Sequence, residues 1–211
     1  EQEIFASTQR SPKMREAIND MVEKGALIVN YIGHGSENSW TNESILSKNM
    51  VSEWTNLDRL PLFVTATCEY GRFDNPNIVS GAQEMLLKQD GGAIALLTTS
   101  RPVESSSNAT LNRSFFKNVF KEDGGEPKKL GDIIKNTKNS GIVGVKNRNF
   151  ILLGDPALTL AEPKNNLRIE EVVNEKGNAD TLNSMSKISV SGIVENPAGQ
   201  VLSSFTGELT A

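Results

Sequence analysis

The stretch ALIVNYIGHG, residues 26–35, decides how the chain is read. It is a near-continuous apolar run of strand length, and it ends on a histidine set between Gly33 and Gly35. A run this apolar suits a parallel strand covered on both faces. His34 is the only histidine in 211 residues. A second such run, LPLFVTATC at 60–68, ends on the only cysteine, Cys68. Ligands of open α/β sheets bind beyond the carboxyl ends of the strands. If the two strands are sheet neighbours, about 5 Å apart, His34 and Cys68 converge on one cleft.

The flanking sequence predicts the rest of such a sheet. Before the first strand, Ser11-Pro12 opens a helix over 11–25, whose Met14, Ala17, Ile18, Met21 and Val22 fall on one face. After it, Ser47 heads a short helix burying Met50, Val51 and Trp54, and another helix carries Ala82, Met85 and Leu86. Asp90-Gly91-Gly92 turns into a third strand, AIALLTTS at 93–100. Asn108 is expected to cap a helix bearing Leu111, Phe115, Phe116, Val119 and Phe120, and a second helix follows around 129–138. FILLG at 150–154 reads as a fourth strand. Strands alternating with helices predict an α/β layered fold with a mostly parallel sheet and right-handed crossovers.

Composition shifts at Glu162-Pro163-Lys164-Asn165-Asn166. The expected division is therefore 1–162 for the α/β domain and 163–211 for the beginning of a β-sandwich-like, immunoglobulin-like module. LRIEEVVNE, SKISVSGIVE and VLSSFTGELTA read as its short strands. That module is incomplete, since a closed sandwich takes about 100 residues. The opening EQEIFASTQR has no signal-peptide pattern and the closing SSFTGELTA reads as mid-strand, so a piece of a longer protein is expected.

Bulk composition removes several classes of function. The net charge is −4 and no basic cluster stands out, which argues against a nucleic-acid surface. No apolar run approaches the ~18 residues of a membrane span. A lone cysteine forms no internal disulfide and no thiolate zinc site, and no cofactor or metal is expected. GHGSENS lacks the lysine and glycine spacing of a phosphate-binding P-loop.

What remains is nucleophilic chemistry. The thiolate is the reactive form of cysteine, and an imidazole beside it takes the thiol proton and later returns it to a leaving amine. Gly35 has no side chain to obstruct a substrate. Its backbone N–H and that of Cys68 are the expected oxyanion donors for acyl transfer.

An apolar strand ending in His-Gly, followed by one ending in Cys, resembles the clan of caspases, legumain and gingipains. The finer resemblance is to the gingipain family, carried by NYIGHGSENSW, PLFVTATCEYGRFDNP, GGAIALLTTSRPV, LNRSFFKNVF and NFILLGDPALTL, five blocks in order over 26–160. Within the family it is closest to the branch that acts as C-terminal signal peptidase, or sortase, of type IX secretion. The resemblance implies a cysteine endopeptidase with His34 as general base and acid, Cys68 as nucleophile, and Gly35 and Cys68 as oxyanion donors. It implies a protein or peptide substrate, a surface-glycolipid amine as acyl acceptor, and contact with other secretion components. It also implies an extracellular or outer-membrane-surface location in a Gram-negative bacterium. The alternatives are a gingipain-like secreted protease and a catalytically silent surface scaffold. Ser36 stands where the family often has a second glycine. The acid that orients the histidine in gingipains is expected upstream of residue 1. Glu69, Thr99 and Arg101 are weaker candidates for lining the substrate groove, since the ends of these strands carry specificity pockets in the clan.

Overall fold

A computed structural model describes residues 11–141, 144–161, 163, 165–174, 177–178 and 187–206. Helix α1 spans Pro12–Lys24, with proline in its first turn, where the missing N–H has no helical partner to lose. Along the chain follow β1 (Ile28–Ile32), a small hairpin of β2 (Ser39–Trp40) and β3 (Leu46–Ser47), and α2 (Lys48–Glu53). Then come β4 (Leu62–Ala66), α3 (Gly81–Leu87), β5 (Ala95–Thr99) and α4 (Ser105–Asn118). A second hairpin, β6 (Glu122–Asp123) and β7 (Glu126–Pro127), leads to α5 (Leu130–Gly141) and β8 (Phe150–Gly154). The chain packs as two units, Glu1–Ala161 and Glu162–Ala211.

The main sheet has the order β1-β4-β5-β8. β1 runs parallel to β4 with Ile28 opposite Leu62 and Ile32 opposite Ala66, and β4 runs parallel to β5. The fourth strand departs from a wholly parallel sheet, because β8 is antiparallel to β5. A single crossover helix would return the chain for another parallel strand. Here two helices intervene: α4 carries the chain back, α5 carries it forward again, and β8 must run the other way.

Every residue of β4 and β5 is buried, as their unbroken apolar runs require. Period-2 alternation divides them between two cores. Phe63 and Leu96 pack with Val22, Met50, Val51, Trp54 and Met85 on the face covered by α1, α2 and α3. Leu62, Val64, Ala95 and Leu97 pack with Leu111, Phe115, Leu130, Ile133 and Ile134 on the face covered by α4 and α5. A fully buried side chain such as Phe115 contributes about 1.5–3 kcal/mol by leaving water. The sheet's central position gives the loops after β1 and β4 a rigid base.

Helix α3 begins with a capping box. The Gln83 N–H donates to the Ser80 hydroxyl, and the Gln83 side chain accepts from the Ser80 N–H. Helix α4 corrects the expectation that Asn108 caps it. It begins at Ser105 with Glu104 in the capping position, and Asn108 is buried inside it. Three serines ahead of Asn108 conceal the first turn, since serine favours caps and turns over helix interiors.

In the second unit, β9 (Asn166–Asn174), β10 (Gly177–Asn178) and β11 (Ile188–Glu195) form an antiparallel sheet in the order β10-β9-β11. The register slips between Ser191 and Gly192. Of the third expected strand, Val201 makes a single bridge to Glu195, and residues 207–211 lie outside the described residues. Among the described residues this one sheet is what stands where the sandwich is expected.

Candidate active site

The β1–β4 ladder ends with Ile32 opposite Ala66 and is extended one step by the Gly33 N–H, which donates to the Ala66 carbonyl at 3.3 Å. His34 and Cys68 each lie two residues past that last pair. Adjacent strands are about 5 Å apart, so the register brings both residues to the carboxyl end of the same two neighbouring strands. His34 is exposed and Cys68 half-buried. The loops that bear them touch: a Cβ added to Gly35 would stand 2.3 Å from Thr67 Oγ1, beside the cysteine. Only glycine permits this approach.

The sulfur sits between the two backbone polar groups of Val103, its S–H directed at the carbonyl and the Val103 N–H directed at Sγ, both at 3.5 Å. Immediately after Cys68 the chain bends sharply through Glu69, whose φ of 56° is in the left-handed region that few residues other than glycine adopt. Among the described residues, neither the Gly35 N–H nor the Cys68 N–H donates a hydrogen bond. Both therefore have the free valence that an oxyanion donor needs.

Charged groups tie the two loops together. Arg72, in the cysteine loop, reaches Glu69 at 3.1 Å and Glu37 of the histidine loop at 3.3 Å. Glu37 also accepts from Asn75 Nδ2 at 2.9 Å, and its carbonyl accepts from the Gly81 N–H at 2.7 Å. Arg101 forks onto Asp74 with contacts of 3.0 and 2.5 Å. The hydrogen bond from Arg101, with its charge and that of Arg72, holds the Asp74 carboxyl below the usual carboxylate range.

The weaker candidates separate on this geometry. Thr99 is fully buried and its hydroxyl donates to the Thr67 carbonyl, so it buttresses the strand before Cys68 and does not line a groove. This corrects its assignment, and the reason is burial: the sheet is covered on both faces at this strand end, and Thr98 and Thr99 are both fully buried. Glu69 is engaged with Arg72, and Arg101 with Asp74. A cavity of about 330 Å³ lies beside Val103, lined by Pro102, Val103, Glu104, Ser107, Lys146 and Asn149. Its one carboxylate, Glu104, is paired with Lys146 at 2.5 Å. Among the described residues no group of three His, Cys, Asp or Glu side chains gathers as metal ligands.

The sheet, its flanking helices and the successive strand ends bearing His34 and Cys68 have the architecture of the caspase-like gingipain fold. The chain belongs to Peptidase family C25, the gingipain family, whose model matches residues 1–161. The complex of Porphyromonas gingivalis RgpB pro- and mature domains is similar at 16% identity and a TM-score of 0.62, covering 87% of this chain and 50% of that one. The crystal structure of the Arg-specific cysteine proteinase gingipain R (RgpB) is similar at 17% identity and a TM-score of 0.58, covering 92% of this chain and 55% of that one. The chain thus spans about half the length of these structures, and at such identities the likeness speaks for the fold. No match is found among curated proteins.

Proposed function

We propose that the protein is a cysteine peptidase in which Cys68 attacks a peptide carbonyl with His34 as its proton carrier. The observation that carries this reading is the matched register of the chain's only histidine and only cysteine, each two residues past Ile32 and Ala66 on adjacent parallel strands. In the acylation half-reaction His34 takes the thiol proton and a C–S bond forms. The carbonyl oxygen becomes an oxyanion within reach of the Gly35 and Cys68 N–H groups. The C–N bond then breaks, the imidazolium returns its proton to the leaving amine, and a thioester remains. Water or an amine can resolve it.

The finer reading is a signal peptidase or sortase of type IX secretion, similar to PorU, that hands the acyl group to the amine of a surface glycolipid at the outer surface of a Gram-negative bacterium. Its support is the five ordered blocks over 26–160. An arginine-selective protease is less well supported, because the carboxylate in the cavity beside Val103 is already neutralised by Lys146. A silent scaffold has no use for the paired His34 and Cys68.

Labelling by a peptidyl acyloxymethyl ketone, read by mass spectrometry, tests the proposal. Cys68 is expected to be alkylated in the native protein, not at all in Cys68→Ala, and at a rate reduced at least ~10²-fold in His34→Ala, the order of one general-base contribution. A Cys68 that reacts no faster than free cysteine would overturn it.

A further inference from the structure

We propose that Tyr31 is a positioning residue for His34, fixing the histidine through its backbone carbonyl; this rests on the His34–Cys68 reading above. The two glycines beside His34 leave its backbone with more freedom than any other residue type would. Something must remove that freedom if the imidazole is to hold one place over the thiol. Among the described residues the imidazole itself has no hydrogen-bond partner. Its carbonyl has two: the Tyr31 hydroxyl donates at 2.7 Å and the Thr41 N–H at 2.9 Å.

The tyrosine is well placed to act as an anchor. Its ring stacks on Trp40, with centroids 4.3 Å apart and planes within 6°. Trp40 is buried and packs in turn on Phe63 and Tyr70. The phenol thus ties the histidine's backbone to the sheet core. Gly33 makes the reach possible, since a Cβ there would stand 2.4 Å from the Tyr31 oxygen. Burial, and then the charge of Glu43, hold the phenol pKa above its usual value, so the hydroxyl keeps its proton at neutral pH and can donate.

The test is Tyr31→Phe, which keeps the stack and removes the donor. With a peptidyl acyloxymethyl ketone, the maximal inactivation rate constant is expected to fall about 2- to 10-fold, the worth of one neutral hydrogen bond, while the half-saturating probe concentration stays unchanged. The melting temperature is expected to fall by no more than ~2–4 °C, and the ring resonances of the single histidine to shift in the ¹H–¹⁵N NMR spectrum. A merely structural role would move the melting temperature and leave the rate constant of the folded protein alone. Wild-type kinetics in Tyr31→Phe, alongside a large loss in His34→Ala, would overturn the clamp and leave the peptidase reading standing. Wild-type kinetics in His34→Ala would overturn both. Should Tyr31→Phe not fold, Trp40→Phe loosens the same stack. A lowered rate constant at unchanged half-saturation is then expected, and an unchanged rate constant rejects the proposal.

Discussion

Gly35→Ala probes the contact between the histidine and cysteine loops, and its effect can be worked from the structure. The new methyl would lie 2.3 Å from Thr67 Oγ1, 3.1 Å from Thr67 Cγ2 and 3.2 Å from the Ser39 carbonyl. Ordinary contact begins near 3.4 Å, so the loops must part by about 1 Å. Overpacking of this kind costs about 1–3 kcal/mol, or roughly 2–12 °C of melting temperature in a protein of this size. A displacement of that length between reacting groups costs on the order of 10²-fold in rate. Thr67→Ala removes both of the nearest atoms. Of the three nearest atoms, the double variant keeps the Ser39 carbonyl, tight by a few tenths of an ångström, so most of both losses is expected to return. The coupling read from a double-mutant cycle then exceeds about 1 kcal/mol. The assays are thermal unfolding and the rate of Cys68 labelling. Gly35→Ala with wild-type values, or a double variant no better than the sum of the singles, would refute the packing argument.

Two further outcomes follow from other parts of the structure. Asp74 has its folded-state pKa depressed, chiefly by the hydrogen bond from Arg101. It therefore adds stability that is present above the unfolded carboxyl value of about 3.9 and is lost as pH falls through the lower folded value. Asp74→Asn is expected to flatten the acid limb of a stability–pH curve below about pH 4, and an unchanged limb would count against the pairing. Phe115→Ala should cost about 3–5 kcal/mol, because the ring is fully buried between α4 and the sheet. Chemical denaturation measures it, and labelling of Cys68 per folded molecule should be unchanged.

How far these features could be read from the sequence depends on what kind of interaction each makes. The strands β4 and β5 were legible because burial on two faces leaves an unbroken apolar run in the chain itself. Strand β1 is as apolar in sequence, yet it is an edge strand with Asn30 and Ile32 exposed, not the doubly covered strand its run suggests. The direction of β8 was not legible, since FILLG has the same composition whichever way it runs, and the two intervening helices decide it. His34 and Cys68 stood out by being unique residues at strand ends. Tyr31 did not, because a tyrosine in a strand reads as another half-buried residue, and nothing local says that its hydroxyl turns back over Gly33. Val103 is 35 residues from Cys68 and acts through its main chain, which carries no signature at all. Thr99 was placed at the correct end of the correct strand, but the polar run Thr98-Thr99-Ser100 does not reveal that the sheet is covered on both faces there and that all three residues are buried.

The remaining question is what the charges around the site accomplish, given how little they can add to stability. Arg72 and its partners are all at least partly solvent-exposed, and such pairs contribute about 0–1 kcal/mol each. A single cluster of buried side chains under β4 outweighs them. Their value is positional. Glu37 comes from the histidine loop, Glu69 and Arg72 from the cysteine loop, so one guanidinium, together with the Asn75 and Gly81 hydrogen bonds to Glu37, holds the two segments together beyond the sheet. The Glu69 contact does more. That residue carries a left-handed backbone turn, a conformation costing on the order of 1–3 kcal/mol, and the turn redirects the chain immediately after Cys68. Arg72 holds its side chain, while the Gly71 N–H, bonded to the Thr99 carbonyl at 2.8 Å, holds the chain beyond it. The strained turn thus persists because contacts from β5 and from its own loop over-determine it, and the same contacts hold the chain on either side of Cys68.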